Sequence, residues 1–447
     1  MPALPAEFID NMQKLLGDET PAFLRALDAP PALALRLNPK RPGAEAASAA
    51  FIDGPVPWAL WGRYLKPDPD IRPGASVPHA AGAFYLQEAS AMASAAVLDA
   101  RPGERVLDLC AAPGGKSTQI AAAMADRGLL ISNDPEPARA KALAGNLERM
   151  GAANAMVISA LPRALAGRWP GRFDAVLVDA PCSGEGMFRR DPAARNEWKG
   201  ASPAGCAKRQ AEILDCAAAL VRPGGRLVYS TCTFNDVENE GSVLAFLGRH
   251  PDFAPEAFDL PGAGASQGGM LRLMPHRLRG DGHFVAKLRK SGVPEPPRPK
   301  RASRPDRDAA TALAMLWEEA CPESALPPDM DYKILGDRLY ARPAGCPDLR
   351  GLRVIAPGLC LARLGRGRVE PEHALAMAMD PRAARRRAAL DPEQARAWLR
   401  GEALPRDGEK GWTHVTCLGL PLGWGKASEG MLKNHLPKGL RRVGQGD

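Results

Sequence analysis

Several familiar signatures are missing from this chain of 447 residues, and each absence removes a class of protein. No apolar stretch approaches the length that a helix needs to cross a bilayer, so no membrane partner is expected. The first residues, MPALPAEFIDNMQKLL, carry acids where a secretory signal would have an apolar segment. A reducing, cytoplasmic location is the resulting expectation.

The cysteines form no recognisable framework. Their number, nine, is odd, and no two of them have the CxxC spacing that is typical of zinc sites and redox motifs. Neither a bound metal nor a set of disulfide bonds is therefore expected. The nine are Cys110, Cys182, Cys206, Cys216, Cys232, Cys321, Cys346, Cys360 and Cys417.

The two commonest nucleotide-binding glycine patterns are also missing. DLCAAPGGKST (108–118) follows an apolar run, but it contains neither GxGxxG nor GxxxxGK[ST]. What remains is a tight turn that lets a ligand approach the backbone at the C-terminal edge of a sheet. Asp134 ends the next apolar run and could accept hydrogen bonds from a ribose diol, although a turn-capping aspartate is the commoner role for one such residue. Together the two features favour an adenosine-bearing ligand without a phosphate requirement, such as S-adenosylmethionine.

The composition is that of a globular protein. Hydrophobic residues make up 45% and charged residues 25%, and the length suits two or three domains. The formal net charge of +8 indicates weakly a polyanionic partner such as nucleic acid. A surface that is basic without such a partner explains the charge about equally well.

Short apolar runs alternate with helical patterns in the middle of the chain. This alternation predicts an α/β fold with a Rossmann-like, doubly wound parallel sheet covered by helices on both faces. An amphipathic helix is predicted over 79–100. Strands are predicted at 105–110, 129–134, 155–159, 173–181 and 225–231, with a further one at 283–289.

Composition also suggests where the domains begin and end. Residues 1–75 predict a small α+β module, and 76–290 hold the alternating pattern. Residues 291–308 are basic and rich in proline, which is typical of a linker; a plain spacer and an RNA-contacting arm are about equally plausible. The remaining 309–447 contain enough apolar residues to fold on their own.

Two cysteines stand where predicted strands end. The fourth strand runs into DAPC, with Asp179 and Cys182, and the fifth into STC, with Cys232. Because these strands are neighbours in a doubly wound sheet, both thiols should reach the edge that carries the glycine turn. One cysteine at a strand end is usually structural, but two beside an aspartate and above a ligand loop are much less often accidental.

Such a group has a defined chemistry on cytosine. A thiolate that attacks carbon 6 makes carbon 5 nucleophilic enough to take the methyl group of S-adenosylmethionine. Asp179 can hydrogen-bond the base and favour a proton on ring nitrogen 3. The carbon 5 hydrogen must then leave and the first thiol must be expelled, a step in which a second thiol or a water could serve. The residues alone do not rank the two cysteines.

Several long motifs occur together in an order that resembles the Sun family of RNA cytosine-C5 methyltransferases. They are HAAGAFYLQEASAM, DLCAAPGGKST, the acid in ND, DAPCSGEGMFRRDP and YSTCTFNDVENE, over roughly 79–290. RGRVEPEHALAMAM and GLPLGWGKASEGMLKNHLPKGLRR resemble the C-terminal extension of the bacterial small-subunit ribosomal type. The resemblance implies the methyltransferase fold, a PUA-like RNA-binding module, and small-subunit ribosomal RNA or the 30S subunit as partner.

The resemblance also implies a role for each matching residue. Cys232 would be the nucleophile, and Cys182 would assist release of the methylated product. Asp134 would bind the ribose, and Asp179 would lie near the methyl donor and the base. The loop along the cofactor would consist of Cys110, Ala111, Ala112, Pro113, Gly114, Gly115 and Lys116.

One position departs from the family pattern. Leu161 stands roughly where an acid near the adenine follows the third strand in the family. This departure is the only support for an alternative function as a non-catalytic RNA-binding or ribosome-assembly factor. Methylation of transfer RNA is another alternative, because it would use the same catalytic residues.

RNA contacts are expected from the basic C-terminal tail and from parts of 1–75. Trp424 could stack on a base, although a tryptophan packed in a small β-core is the commoner case. The target cytosine is expected to be taken out of its helix. The predicted phosphate-binding residues of the tail are Lys426, Lys433, Lys438, Arg441 and Arg442.

Overall fold

The computed structural model describes residues 3–68, 70–293 and 302–442. Much of the predicted linker, residues 294–301, lies outside the described residues. In chain order follow an N-terminal α+β module, a central α/β sheet and a C-terminal part with smaller sheets. Within the described ranges, no helix is both long enough and apolar enough to span a membrane.

The N-terminal module consists of an antiparallel sheet with helices beside it. Its elements are α1 (Ala6–Leu16), α2 (Thr20–Asp28), β1 (Ala34–Leu37), α3 (Ala44–Ser48), β2 (Ile52–Pro55), β3 (Gly62–Leu65), α4 (Val77–Ala80) and β4 (Phe84–Leu86). The strand order is β2-β3-β1-β4, so this sheet continues past residue 75. The spacing of Phe8 and Met12 places both on one face of α1, where they pack against Phe188 of the central domain.

The predicted helix over 79–100 is wrong. The backbone leaves the helical conformation at Gly82, which has a φ of +67° and lies so close to the Arg149 carbonyl that no side chain fits. The next residues extend as β4 and pair with β1, which buries Phe84 completely. Only α4 and the helix Met92–Leu98 remain of the predicted helix.

The central domain alternates strands and helices as predicted. Its elements are α5 (Met92–Leu98), β5 (Arg105–Asp108), α6 (Gly115–Met124), β6 (Leu129–Asn133), α7 (Pro137–Arg149), β7 (Ala155–Ser159), α8 (Pro162–Arg168), β8 (Phe173–Asp179), α9 (Pro192–Glu197), α10 (Ser202–Leu220), β9 (Val221–Thr231), α11 (Glu240–Arg249), β10 (Phe253–Pro255), β11 (Asp259–Leu260), β12 (Gly264–Ala265), β13 (Met270–Leu273) and β14 (His283–Lys290).

The order of these strands creates the ligand-binding edge. The sheet runs β10-β14-β9-β8-β5-β6-β7, with β5 to β9 parallel and β14 antiparallel to β9. The chain reverses its direction of winding between β5 and β8, and such a switch point opens a crevice at the carboxyl ends of the strands. The apolar strands are buried between two clusters of side chains, one on each face of the sheet.

The C-terminal part, which the sequence predicts over 309–447 to contain enough apolar residues to fold on its own, also contributes one strand to the central sheet. Its elements are α12 (Arg307–Glu319), β15 (Met330–Leu335), β16 (Arg338–Pro343), β17 (Arg353–Ala356), β18 (Leu359–Gly365), β19 (Arg368–Pro371), α13 (His373–Ala378), β20 (Arg387–Leu390), α14 (Pro392–Arg400), β21 (Leu404–Pro405), β22 (Gly411–Cys417), β23 (Leu420–Ser428) and β24 (Met431–Asn434). Strands β15-β16-β18-β19 form one sheet and β20-β22-β23-β24-β21 another. β17 instead pairs antiparallel with β7 and extends the central sheet.

Candidate active site

The predicted loop Cys110–Lys116 joins β5 to α6 at the switch point. Gly114 has a φ of +114° and directly precedes α6, and a side chain there would press on Leu143 of α7. Pro113 is exposed, so part of the loop surface is open to solvent. Burial raises the pKa of the Cys110 thiol, and the nearby carboxylates of Asp108 and Asp179 add to the effect.

Asp134 lies just after β6 and is almost fully buried, at 1% exposure. Its Oδ1 accepts a hydrogen bond from the backbone N–H of Glu136 at 3.0 Å, and its Oδ2 lies 3.4 Å from Nη2 of Arg139. Arg139 also donates to the carbonyl of Ala112 at 3.2 Å. This arginine therefore links the strand-end acid to the glycine loop, a role that sequence reasoning missed.

Asp179 ends β8 and pairs with Lys116 of the loop. The Lys116 Nζ lies 2.7 Å from the Asp179 Oδ2, and the hydroxyl of Ser230 donates to Oδ1 at 2.8 Å. Nε2 of His283 lies 3.5 Å from the same Oδ1, too poorly aligned for a hydrogen bond. Burial alone would raise the pKa of Asp179, but Lys116 and His283 outweigh it and hold this pKa well below its ordinary value. Asp179 is therefore an ionised acceptor at neutral pH.

The pairing changes Lys116 as well. Burial alone would lower the pKa of this ammonium group, but the Asp179 carboxylate reverses the effect and the pKa is raised. Lys116 therefore keeps its positive charge beside the strand ends. The spacing of the glycines argues against a phosphate-binding lysine, but the sequence does not show that Lys116 pairs with Asp179.

The two thiols lie next to each other. The sulfurs of Cys182 and Cys232 are 3.3 Å apart, beyond the length of about 2.05 Å of a disulfide bond, and both cysteines are free and half-buried. The contact with Cys232, together with burial, raises the pKa of Cys182 well above its ordinary value. β8 and β9 are paired in parallel, as the sequence predicted, and this pairing brings the two strand ends together.

A cavity of about 310 Å³ opens beside Cys182. Its walls include Ser183, Met187, Trp198 and Cys206. A larger cavity of about 760 Å³ lies between α7 and the C-terminal part, and neither the thiols nor Asp179 line it. Of the reactive groups, Cys182 alone lines the smaller cavity, and its contact with Cys232 places that cavity beside the pair of thiols.

The five basic residues of the tail differ in their exposure and in their hydrogen bonds. Lys426 and Lys433 are exposed cross-strand partners on β23 and β24, and Lys438 is exposed after them. Arg441 donates to the carbonyl of Leu436 at 3.1 Å. The guanidinium of Arg442 donates to the backbone carbonyls of residues 74–76, so it fastens the tail to the N-terminal module.

Burial describes two further positions that the sequence singled out. Leu161 is 52% exposed and directly precedes α8. Trp424 is 1% exposed, and its Nε1 donates to the carbonyl of Glu372 at 3.1 Å. Trp424 is therefore part of the β-core rather than a surface on which a base could stack.

Four family models together match almost the whole chain. Residues 4–89 match the N-terminal domain of 16S rRNA methyltransferase RsmF, and 95–289 match 16S rRNA methyltransferase RsmB/F. Residues 317–379 match the first C-terminal domain of RsmF rRNA methyltransferase, and 385–442 match the methyltransferase RsmF PUA domain.

Comparison with individual proteins points to the same family over most of the chain. The chain is 32% identical to ribosomal RNA small subunit methyltransferase F of Aliivibrio fischeri (strain MJ11), over 99% of this chain and 98% of the relative. It is 34% identical to the protein of that name from Escherichia coli K12, over 88% and 85%.

Solved structures from Pyrococcus horikoshii share the fold. A methyltransferase homologue is 26% identical, with a TM-score of 0.54 over 64% of this chain and 100% of that chain. The crystal structure of NSun6 with SFG is 22% identical, with a TM-score of 0.55 over 65% and 99%.

Proposed function

Because the chain belongs to the family of ribosomal RNA small subunit methyltransferase F, which makes it an S-adenosylmethionine-dependent RNA cytosine-C5 methyltransferase, we propose that Cys232 and Cys182 perform this reaction on small-subunit ribosomal RNA. The observation that carries the assignment of residues is the 3.3 Å contact between the two sulfurs at the carboxyl ends of β8 and β9. Asp179 lies at the same edge.

The residues present fit S-adenosylmethionine. The loop Cys110–Lys116 would lie along it, with Gly114 allowing the close turn, and Asp134 would accept hydrogen bonds from the ribose hydroxyls. The partly open surface of this loop leaves room for a ligand. When bound, S-adenosylmethionine supplies the electrophilic methyl group that carbon 5 of the cytosine receives.

Cys232 begins the reaction on the base. Its thiolate forms a bond to carbon 6 of the cytosine, and the ring electrons then make carbon 5 nucleophilic. Asp179 is ionised, so it accepts a hydrogen bond from a protonated ring nitrogen 3 rather than donating its own proton. Lys116 keeps Asp179 in that state.

Cys182 completes the reaction. The contact with Cys232 is the largest cause of its raised pKa, and this cause disappears once the Cys232 sulfur is bonded to carbon 6. Cys182, once its own proton has passed to solvent, takes the proton from carbon 5 as a thiolate; the electrons of that C–H bond re-form the ring double bond, and the Cys232 sulfur leaves with the electrons of its bond to carbon 6.

Replacement of each thiol tests the assignment. Cys232→Ala should abolish transfer of a tritiated methyl group to RNA, and undiminished transfer would refute Cys232 as the nucleophile. Cys182→Ala should accumulate a covalent protein–RNA adduct, visible as a retarded band on a denaturing gel. A Cys182→Ala protein that turns over normally and leaves no adduct contradicts the role of Cys182.

The RNA substrate is tested in the cell. Bisulfite mapping of ribosomal RNA from a strain that lacks this protein should show the loss of 5-methylcytosine from the small-subunit RNA. A loss confined to transfer RNA would instead support methylation of transfer RNA. Free RNA and assembled 30S subunits can be compared as substrates with the purified protein.

A further inference from the structure

The loops that carry the two thiols are joined by hydrogen bonds that do not involve sulfur. The hydroxyls of Ser183 and Thr233, the neighbours of Cys182 and Cys232, lie 2.9 Å apart. The backbone N–H of Gly186 donates to the carbonyl of Cys232 at 2.8 Å. Each thiol is therefore held through the residues beside it.

A buried carboxylate lies at the centre of this network. Glu238 is 0% exposed, and its Oε2 accepts hydrogen bonds from the backbone N–H of Ser183 at 3.0 Å and from Nε2 of Gln210 at 2.8 Å. Its Oε1 accepts from Nδ2 of Asn235 at 2.8 Å and from the Ser183 hydroxyl. Among the described residues no lysine or arginine pairs with Glu238, so these donors satisfy its charge.

Gln210 extends the network to the other side of Cys182. Its Nε2 also donates to the carbonyl of Pro181 at 3.1 Å, and the side chain is fully buried on α10. The residues on both sides of Cys182 are thus fixed by side chains from α10 and from the loop after β9. A shift of this network would move Cys182 relative to Cys232 without touching either sulfur.

We propose that Glu238 is a positioning residue that, together with Gln210, holds Cys182 at the distance from Cys232 that the release of methylated RNA requires. The proposal rests on the function proposed above for Cys182. Glu238 acts directly through Ser183, and by way of Gln210 through the carbonyl of Pro181, rather than by a bond to the thiol itself.

Glu238→Gln is the sharpest perturbation because it keeps the size of the side chain. One oxygen can still accept from two donors, but the new amide group would face either the backbone N–H of Ser183 and Gln210 or the amide of Asn235 and the Ser183 hydroxyl. Donor facing donor should displace the segment around Cys182. Glu240→Gln is the matched control, since Glu240 lies two positions further along, is 31% exposed and pairs with Arg272, which bonds to the carbonyl of Phe234 rather than to Glu238 or Gln210. Ser183→Ala is a milder second variant that keeps the backbone donor.

Thiol cross-linking measures the positioning independently of the reaction. Treatment of the protein with the azo oxidant diamide joins two neighbouring thiols: both sulfurs lose a proton, one sulfur–sulfur bond forms, and the reagent takes up two electrons and two protons. The Cys182–Cys232 disulfide, identified by peptide mapping, should form rapidly in the unmodified protein and in Glu240→Gln. It should form at least tenfold more slowly in Glu238→Gln and about threefold more slowly in Ser183→Ala.

Turnover then tests whether the reaction uses this positioning. Glu238→Gln should retain methyl transfer in the first turnover, accumulate the covalent RNA adduct and lose at least tenfold in kcat with little change in KM for RNA. An unchanged cross-linking rate overturns the positioning, and slower cross-linking with normal kcat overturns its use in release. If Cys182→Ala leaves no adduct while Glu238→Gln still slows cross-linking, the role of Cys182 has failed and the network itself has not.

Discussion

Removal of the positive charge of Lys116 should make the activity sensitive to acid. The Lys116 Nζ lies 2.7 Å from the Asp179 carboxylate, and the two side chains are 12% and 30% exposed. Loss of one partner of a buried pair costs about 3–5 kcal/mol. The partial exposure of Asp179 favours the lower end, about 3 kcal/mol, and the loss of the lysine raises the pKa of the Asp179 carboxyl group.

The sign of the effect follows from the two states of Asp179. In the unmodified protein its pKa is depressed, so the carboxylate is ionised throughout the pH range in which activity is measured, and its contribution would be lost only in strong acid. In Lys116→Gln the burial of Asp179, the largest single influence on its pKa, loses its main counterweight. The pKa of Asp179 should then rise, and activity should be lost at a higher pH than in the unmodified protein.

The assay is the rate of tritiated methyl transfer between pH 8 and pH 5, expressed as the ratio of variant to unmodified protein. For Lys116→Gln this ratio should be at least threefold lower at pH 5 than at pH 8. Lys116→Arg keeps the charge and should give a nearly constant ratio. A constant ratio for Lys116→Gln, or an equal fall for Lys116→Arg, would refute the electrostatic role of the pair.

Other predictions concern stability and RNA binding. Burial raises the pKa of Asp108 to about 7, with only partial opposition from the Ser117 hydroxyl. Because the folded protein keeps this proton between about pH 4 and pH 7 while the unfolded chain loses it, the residue should lower the free energy of unfolding by up to about 4 kcal/mol over that range. Asp108→Asn should flatten the fall in Tm with rising pH, and an identical pH profile would contradict this. Arg36, 2% exposed, donates to Gln87 and Thr118 at 3.0 and 2.6 Å, so Arg36→Ala should cost about 2–4 kcal/mol in urea unfolding, and a loss below about 1 kcal/mol would count against it. The double change Lys426→Gln and Lys433→Gln should reduce the slope of log affinity against log salt by about 1–2, whereas an unaltered slope would mean that these lysines do not contact phosphates.

The central sheet could be predicted because its local and long-range requirements agree. The parallel strands are buried on both faces, so they are short apolar runs that end in polar residues, and the turns between them contain glycine or proline. This regularity also fixed which strand ends are neighbours. The proximity of Cys182 to Cys232 was a consequence that the sequence could predict, although the distance between their sulfurs was not.

Features that depend on long-range contacts could not be predicted. The helical spacing of 79–100 is real, but pairing of β4 with β1 overrides it, and only the fold shows that Gly82 must turn beneath Arg149. Glu238 stands in the polar segment FNDVENE, which is typical of a solvated loop, and its burial follows from the approach of α10. A short apolar run such as that of β17 does not specify which sheet it joins.

The residues around the thiols differ in how easily the sequence reveals them: reacting residues can be recognised, whereas residues that position them cannot. Residues that react are conspicuous because thiols and acids at strand ends are uncommon. Residues that support them, such as Gln210 and Asn235, have amide side chains whose importance depends on the donors and acceptors they meet. His283 reaches Asp179 only because β14 returns antiparallel beside β9.

The position of β17 has a consequence for the order in which the protein matures. The ribosome must deliver Arg353–Ala356 before the outer strand β7 gains its last hydrogen-bonded neighbour, roughly two hundred residues after β7 itself has been synthesised. Until then the backbone groups along one side of β7 are available to any extended chain nearby. A nascent chain interrupted before this point would carry both thiols and the glycine loop, yet it would be prone to aggregate through the unpaired edge of β7. Strand β17, which is synthesised late, thus protects the exposed edge of the central sheet.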